Sequence, residues 1–136
     1  MTTDTFDFPV RVYYEDTDAG GIVYYANYLK FFERARTEWL RALGIEQDTL
    51  LSNNIAFVVT QVLMDNKKSA VFNELLTVSS RISTLKSASL VFSQKIFNAS
   101  AQLVCQAEIK VACIDKQAMK ARPMPAEIAE VLTRVR

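Results

Sequence analysis

Histidine is missing from all 136 residues. Its absence excludes the Ser-His-Asp and Cys-His nucleophile systems together. It also excludes most zinc sites, because the 2 cysteines cannot close one alone. Any general base must then be a carboxylate, lysine, tyrosine or cysteine. Two cysteines, Cys105 and Cys113, are also too few for a disulfide framework. On what reads as one strand they share a face about 26 Å apart and cannot bond to each other within it. Two reduced core thiols are expected.

Charge excess is missing as well. The 16 basic and 15 acidic residues leave a net charge of +1, so nothing electrostatic points to nucleic acid. No apolar run approaches the roughly 20 residues that span a bilayer. Met1 to Phe8 carries acidic residues and no apolar h-region, unlike a secretory signal. These features point to a cytoplasmic protein with no membrane span. Half of the residues are hydrophobic and 23% are charged, which suits a packed core. No linker, repeat or low-complexity tract interrupts the chain, so residues 1–136 read as one domain.

Glycine is scarce, and 2 of the 3 lie together in Asp16-Thr17-Asp18-Ala19-Gly20-Gly21. The pair permits positive φ and close backbone approach in a turn. Before it, Phe6, Phe8, Val10, Val12 and Tyr14 alternate with polar positions, as in a half-buried strand. After it, Tyr28, Phe31, Phe32, Ala35, Trp39 and Leu43 recur at helical spacing, which predicts a helix from Tyr25 to Leu43. Lys30, Glu33, Arg34, Arg36, Glu38 and Arg41 take much of its remaining surface, and Gly44 is a natural helix stop. The apolar run Ala56–Met64 reads as a central strand. Three more strands follow, around Leu76–Ser83, Leu90–Phe97 and Leu103–Cys113, joined at Lys86–Ala88 and Asn98–Ala101. Pro125–Val135 suits a short terminal helix. Consecutive strands after one long helix favour an α+β layer over a parallel sheet.

Asp18 is the residue with chemistry in prospect. It is a carboxylate in a glycine-rich loop just before a helix, whose first N–H groups have no partner within the helix. Those donors and the macrodipole favour a developing oxyanion. A carboxylate beside them supplies the minimum for acyl transfer, as nucleophile or as base for water. The pattern also suits an ordinary turn or N-cap aspartate. Asp16 and Glu15 compete for the role, and spacing does not separate them.

The run from Arg11 to Tyr28, RVYYEDTDAGGIVYYANY, closely resembles the signature of the 4-hydroxybenzoyl-CoA thioesterase family. Phe31-Phe32-Glu33-Arg34-Ala35-Arg36-Thr37-Glu38 resembles its YbgC branch, the acyl-CoA thioesterases associated with Tol–Pal genes. The resemblance implies a hotdog fold, one long helix wrapped by an antiparallel five-stranded sheet. It implies hydrolysis of acyl thioesters to free acid and thiol, with no cofactor beyond the coenzyme A of the substrate. Asp18 takes the position of the catalytic carboxylate, and the backbone N–H of Tyr25 that of the oxyanion donor. Gly20, Gly21 and Tyr28 fall in the same motif as substrate-binding candidates. A homodimer joined edge to edge, or a homotetramer, is implied too, with sites at the subunit interface.

This chain departs from the branch in two places. The branch usually has histidine where Tyr25 stands, although the hydroxybenzoyl enzymes have tyrosine. Ser69-Ala70 and Asn73-Glu74 replace a Pro-Ala pair and two acidic residues. Lys67, Lys68, Lys86 and Arg122 are candidates for the coenzyme A phosphates, or for an acyl carrier protein as donor. A non-catalytic protein that binds acyl-CoA or carrier protein is the alternative. A hotdog dehydratase is disfavoured, because such sites typically use histidine.

Overall fold

The computed structural model describes residues 4–136; the first three residues of the Met1–Phe8 stretch, read as unlike a secretory signal, lie outside them. Strand β1 covers Phe6–Arg11, helix α1 Asn27–Ala42 and helix α2 Gln47–Ser52. Strands β2 (Ile55–Asn66), β3 (Leu75–Leu85), β4 (Ser89–Phe97), β5 (Leu103–Asp115) and β6 (Lys120–Ala121) follow, then helix α3 (Ala126–Val135). The sheet order is β1-β3-β4-β5-β2, with β6 added beside β5. Every pairing is antiparallel.

The expected layering follows from the side-chain periods. Tyr28, Phe31, Phe32, Ala35 and Trp39 are all buried, because spacings of three and four put them on one helix face. Leu76, Val78 and Ile82 of β3, Leu90, Phe92 and Ile96 of β4, and Cys105, Ala107, Ile109, Val111 and Cys113 of β5 are buried with them. Period two sends these positions to one sheet face. α1 therefore lies in the hollow of a curled sheet. Both cysteines are free and buried, as the sequence indicated. Gly44 closes α1 at φ +85°, a left-handed value that glycine takes without strain. The Ile45 N–H then reaches back to the Leu40 carbonyl at 2.8 Å.

Several expectations need correction. Alternation ran to Tyr14, but β1 ends at Arg11 and Tyr14–Asp16 forms a 3-10 turn. Asp16 Oδ2 accepts the Tyr13 N–H at 2.8 Å and pulls the chain out of the ladder. The apolar run Ala56–Met64 is not central: β2 is an edge strand. Part of its apolar surface faces outward, with Leu63 69% exposed and Val59 and Val62 also exposed, while Phe57 and Met64 pack against the core. Arg36 belongs to the buried side of α1, not to its solvent face. α2 and β6 were not foreseen. α2 buries no residue and so has no apolar stripe to read; β6 has only two residues, both exposed. The sheet thus has a sixth, minimal strand.

Candidate active site

The loop from Thr17 to Val23 is a small hairpin. Thr17 bridges Val23, and Ile22 bridges Val71. The Asp18 N–H donates to the Ile22 carbonyl at 2.9 Å, and the Gly21 N–H returns to the Asp18 carbonyl at 3.0 Å. Gly21 has φ +77°, so the corner needs a residue without a Cβ penalty. The Gly20 N–H donates to Asp18 Oδ1 at 2.8 Å. A Cβ on Gly20 would stand 3.3 Å from that same oxygen. Both glycines thus shape the space around one carboxylate. Asp18 is exposed, and its Oδ2 has no hydrogen-bond partner among the described residues.

Asp16 is in a different situation. It is 3% exposed, and both carboxylate oxygens are committed, Oδ2 to the Tyr13 N–H and Oδ1 to Asn27 Nδ2. Its carbonyl accepts the Tyr24 N–H at 3.0 Å. Asp16 therefore ties the strand end, the loop and the helix start together. Glu15 is exposed and makes no side-chain hydrogen bond among the described residues. Burial and bonding separate the three carboxylates where spacing could not.

At the start of α1 the Tyr24 and Asn27 N–H groups have carbonyl partners, whereas those of Tyr25 and Ala26 have none among the described residues. Unpartnered donors at a helix start suit a developing negative charge. The Tyr25 side chain is exposed and packs against Tyr24, with ring centroids 5.1 Å apart. Tyr28 lies inside the core, and its hydroxyl accepts the buried Ala70 N–H at 3.1 Å. Burial raises its pKa, and the Ala70 bond offsets part of that rise. The side chain braces the segment that pairs with the Asp18 loop.

The four candidate cations fall into two groups. Lys67 and Lys68 are exposed, and both backbone N–H groups donate to the Val104 carbonyl. They stand just ahead of Ala70, which accepts the Val23 N–H at 2.8 Å, so they share an end of the fold with Asp18. Lys86 and Arg122 belong to the other end of β5. The Arg122 N–H donates to the Cys113 carbonyl, and the Met124 N–H donates to the Ser87 carbonyl beside Lys86. Val104 and Cys113 are about 30 Å apart along an extended strand. One protomer does not bring all four to one ligand.

Residues 12–132 match the model of the thioesterase-like superfamily. The chain belongs to that superfamily. Among its relatives is the acyl-CoA thioesterase YbgC of Haemophilus influenzae, 47% identical over 129 residues, covering 94% of each chain. Another is the acyl-CoA thioester hydrolase YbgC of Escherichia coli O6:H1, 44% identical over 128 residues, covering 94% of this chain and 96% of that one. These place it among the YbgC-like acyl-CoA thioesterases. A solved structure with the same fold is Slr0204, a 1,4-dihydroxy-2-naphthoyl-CoA thioesterase from Synechocystis. It has a TM-score of 0.89 at 25% identity and covers 95% of this chain and 96% of its own. The curled sheet around α1 is thus a hotdog thioesterase fold. No helix among the described residues is long and apolar enough to cross a membrane.

Proposed function

We propose that this thioesterase hydrolyses acyl-CoA at the Asp18 loop, with Asp18 as the reacting carboxylate and the Tyr25 N–H as oxyanion donor. One observation carries the reading. Asp18 presents one oxygen braced by the Gly20 N–H and one without a partner among the described residues, on a loop fastened to a helix start whose Tyr25 and Ala26 N–H groups are likewise unpartnered among them. The thioester carbonyl oxygen turns toward Tyr25 N–H, which stabilises charge as the tetrahedral centre forms. Asp18 either adds to the carbonyl carbon, giving a mixed anhydride that water then opens, or takes a proton from the water that adds. In each route the C–S bond breaks, the thiolate of coenzyme A leaves and is protonated, and the acid is released.

The same reading includes a homodimer through β2. An exposed apolar edge strand is a template for pairing, and β2 offers Val62 and Leu63 beside unpaired main-chain groups. Antiparallel pairing of two β2 edges sets the Asn66 end of one protomer beside the Ile55 end of the other. That arrangement supports a shared coenzyme A site. Lys67 and Lys68 come from the protomer that supplies Asp18, and Lys86 and Arg122 come from its partner. A basic rim of that kind also suits acyl carrier protein as donor. Two buried reduced cysteines fit the cytoplasm.

The test is thiol release from a panel of acyl-CoAs, with wild type beside Asp18→Asn. Release by the wild type alone supports the assignment. Equal release by both proteins sinks the role of Asp18, and no release on any substrate favours a binding protein.

A further inference from the structure

Part-way along α1, one cation sits inside the fold. Arg36 is 9% exposed. Its Nη1 donates to Gln94 Oε1 at 3.0 Å, and its guanidinium carbon lies 5.9 Å from the Phe92 ring centroid. Gln94 is fully buried, and its amide nitrogen donates to the Phe32 carbonyl at 3.0 Å and the Ser80 hydroxyl at 2.8 Å. The amide oxygen is thereby fixed toward Arg36. No carboxylate lies within ion-pair distance of Arg36 among the described residues. Burial lowers its pKa to about 10, against the raising influence of Glu33, so the guanidinium stays charged at neutral pH.

A buried charge is costly unless it is paired. One neutral acceptor uses a single donor of the guanidinium fork. No buried polar side-chain atom among the described residues lacks a partner, so the spare donors face open space. That space is a cavity of about 120 Å³ between α1 and the sheet, walled by Leu40, Phe57, Leu90, Phe92 and Val111. For scale, an apolar cavity of roughly 150 Å³ accepts benzene. The apolar walls suit a ring or a short alkyl group, and Arg36, Glu33, Thr37 and Gln47 make up the polar part of the lining.

We propose that this cavity binds a carboxylate carried on a short apolar stem, with Arg36 gripping the carboxylate and the apolar wall holding the stem. A planar guanidinium matches two carboxylate oxygens at once. Glu33 and Thr37 form part of the lining, and the Thr37 hydroxyl donates to Glu33 Oε1 at 2.9 Å. The charge of Glu33 opposes the ligand. The nine helical steps from Asn27 to Arg36 span about 14 Å, so within one protomer the cavity is separate from the Asp18 loop. The carboxylate has two possible sources. One is a free acid; the other is the far end of a dicarboxylic acyl thioester held at the Asp18 loop of the partner protomer across the β2 seam, which rests on the thioesterase reading and its dimer.

The experiment is a titration of isotope-labelled full-length protein with benzoate, followed by NMR, with benzyl alcohol as the neutral analogue. Benzoate is expected to perturb Leu40 and Val111, and benzyl alcohol to bind at least tenfold more weakly. Arg36→Gln should weaken benzoate at least tenfold. Glu33→Gln should tighten it severalfold, and this exposed change keeps the test valid if the Arg36 variant does not fold. Asp18→Asn should leave benzoate binding unchanged. Equal binding of benzoate and benzyl alcohol, or a benzoate response blind to both Arg36→Gln and Glu33→Gln, overturns the free-acid source. The second arm compares hydrolysis of glutaryl-CoA with valeryl-CoA. A loss of kcat/KM in Arg36→Gln of tenfold or more on glutaryl-CoA alone assigns the carboxylate to the substrate. Failure of both arms, with valeryl-CoA still hydrolysed, overturns the proposal and leaves the thioesterase reading intact.

Discussion

The side-chain amide of Asn27 donates to Oδ1 of buried Asp16 at 3.1 Å, and this bond fastens the Asp18 loop to the first residue of α1. The pair is separated by 11 residues, so it fixes tertiary geometry and not merely a turn. Asp16→Ala leaves Asn27 and the Tyr13 N–H without their acceptor, at an expected cost of about 1–3 kcal/mol. The exchange Asp16→Asn with Asn27→Asp can rebuild the pair with its donor reversed and still leave an oxygen for Tyr13. Each single change should lower kcat, and the double variant should recover most of it. Denaturant unfolding and thiol release check both statements. A double variant no better than the singles would count against a positioning role.

Asp18→Asn should behave in the opposite way on stability. The residue is exposed, so the unfolding free energy should move by no more than about 0.5 kcal/mol. Thiol release should fall by roughly 100-fold or more, the range for loss of a positioned acid or base. Steady-state kinetics and a parallel melt on the same sample separate the two effects.

Gly20 and Gly21 should also part company. A methyl at Gly20 meets Asp18 Oδ1 at 3.3 Å, so Gly20→Ala should shift the carboxylate and lower kcat with little change in Tm. Gly21→Ala has open space but must hold φ +77°, and should cost about 1–2 kcal/mol in stability. Melting curves beside kcat for the two variants test this split.

The thiols give a pH prediction. Burial pushes Cys105 from 9.0 up to about 12, with Asp65 adding to the rise, and burial also raises Cys113. A thiol that ionises more readily when unfolded stabilises the fold below its unfolded pKa. That contribution is lost as pH climbs from about 9 toward 12. Native protein at pH 8 should therefore resist an aromatic disulfide reagent, and denatured protein should react at both cysteines. Stability should fall in the alkaline window, less steeply for Cys105→Ser if that variant folds.

Val62→Lys tests the edge. A charge on an exposed edge strand opposes pairing, so the wild type should sediment as a dimer and the variant as a monomer at the same concentration. If the coenzyme A site is shared, KM for acyl-CoA should rise in the monomer. Sedimentation and kinetics at matched concentrations decide it.

Much of this architecture was legible because its residues obey simple periods. The α1 face and the buried rows of β3, β4 and β5 could be read from three-four and two-residue spacing. Gly44 marked the helix stop for a backbone reason. The misreadings share a cause, which is that pattern does not report partners. Ala56–Met64 looked central because it is apolar on both sides, and the monomer leaves that edge uncovered. Arg36 looked solvated because arginines usually are, and only Gln94, distant in sequence, shows why it points inward. Asp16 and Asp18 looked equivalent until burial distinguished them. The Asp18 loop itself stood out through glycine placement and helix position, as well as through its motif.

Gln94 carries a consequence for folding. Its amide meets α1 through Phe32 and Arg36 and meets β3 through Ser80, all inside an apolar core. Apolar side chains tolerate sliding, since one leucine-sized neighbour serves nearly as well as another. An amide with fixed donor and acceptor directions does not. If α1 slipped by one turn, or β3 and β4 shifted by two residues, this amide would be stranded in a dry interior, at a cost of about 1–3 kcal/mol per lost bond. Gln94 therefore acts as a registration pin. It makes mis-docked compact states less stable than the native one and steers collapse to a single alignment of helix and sheet.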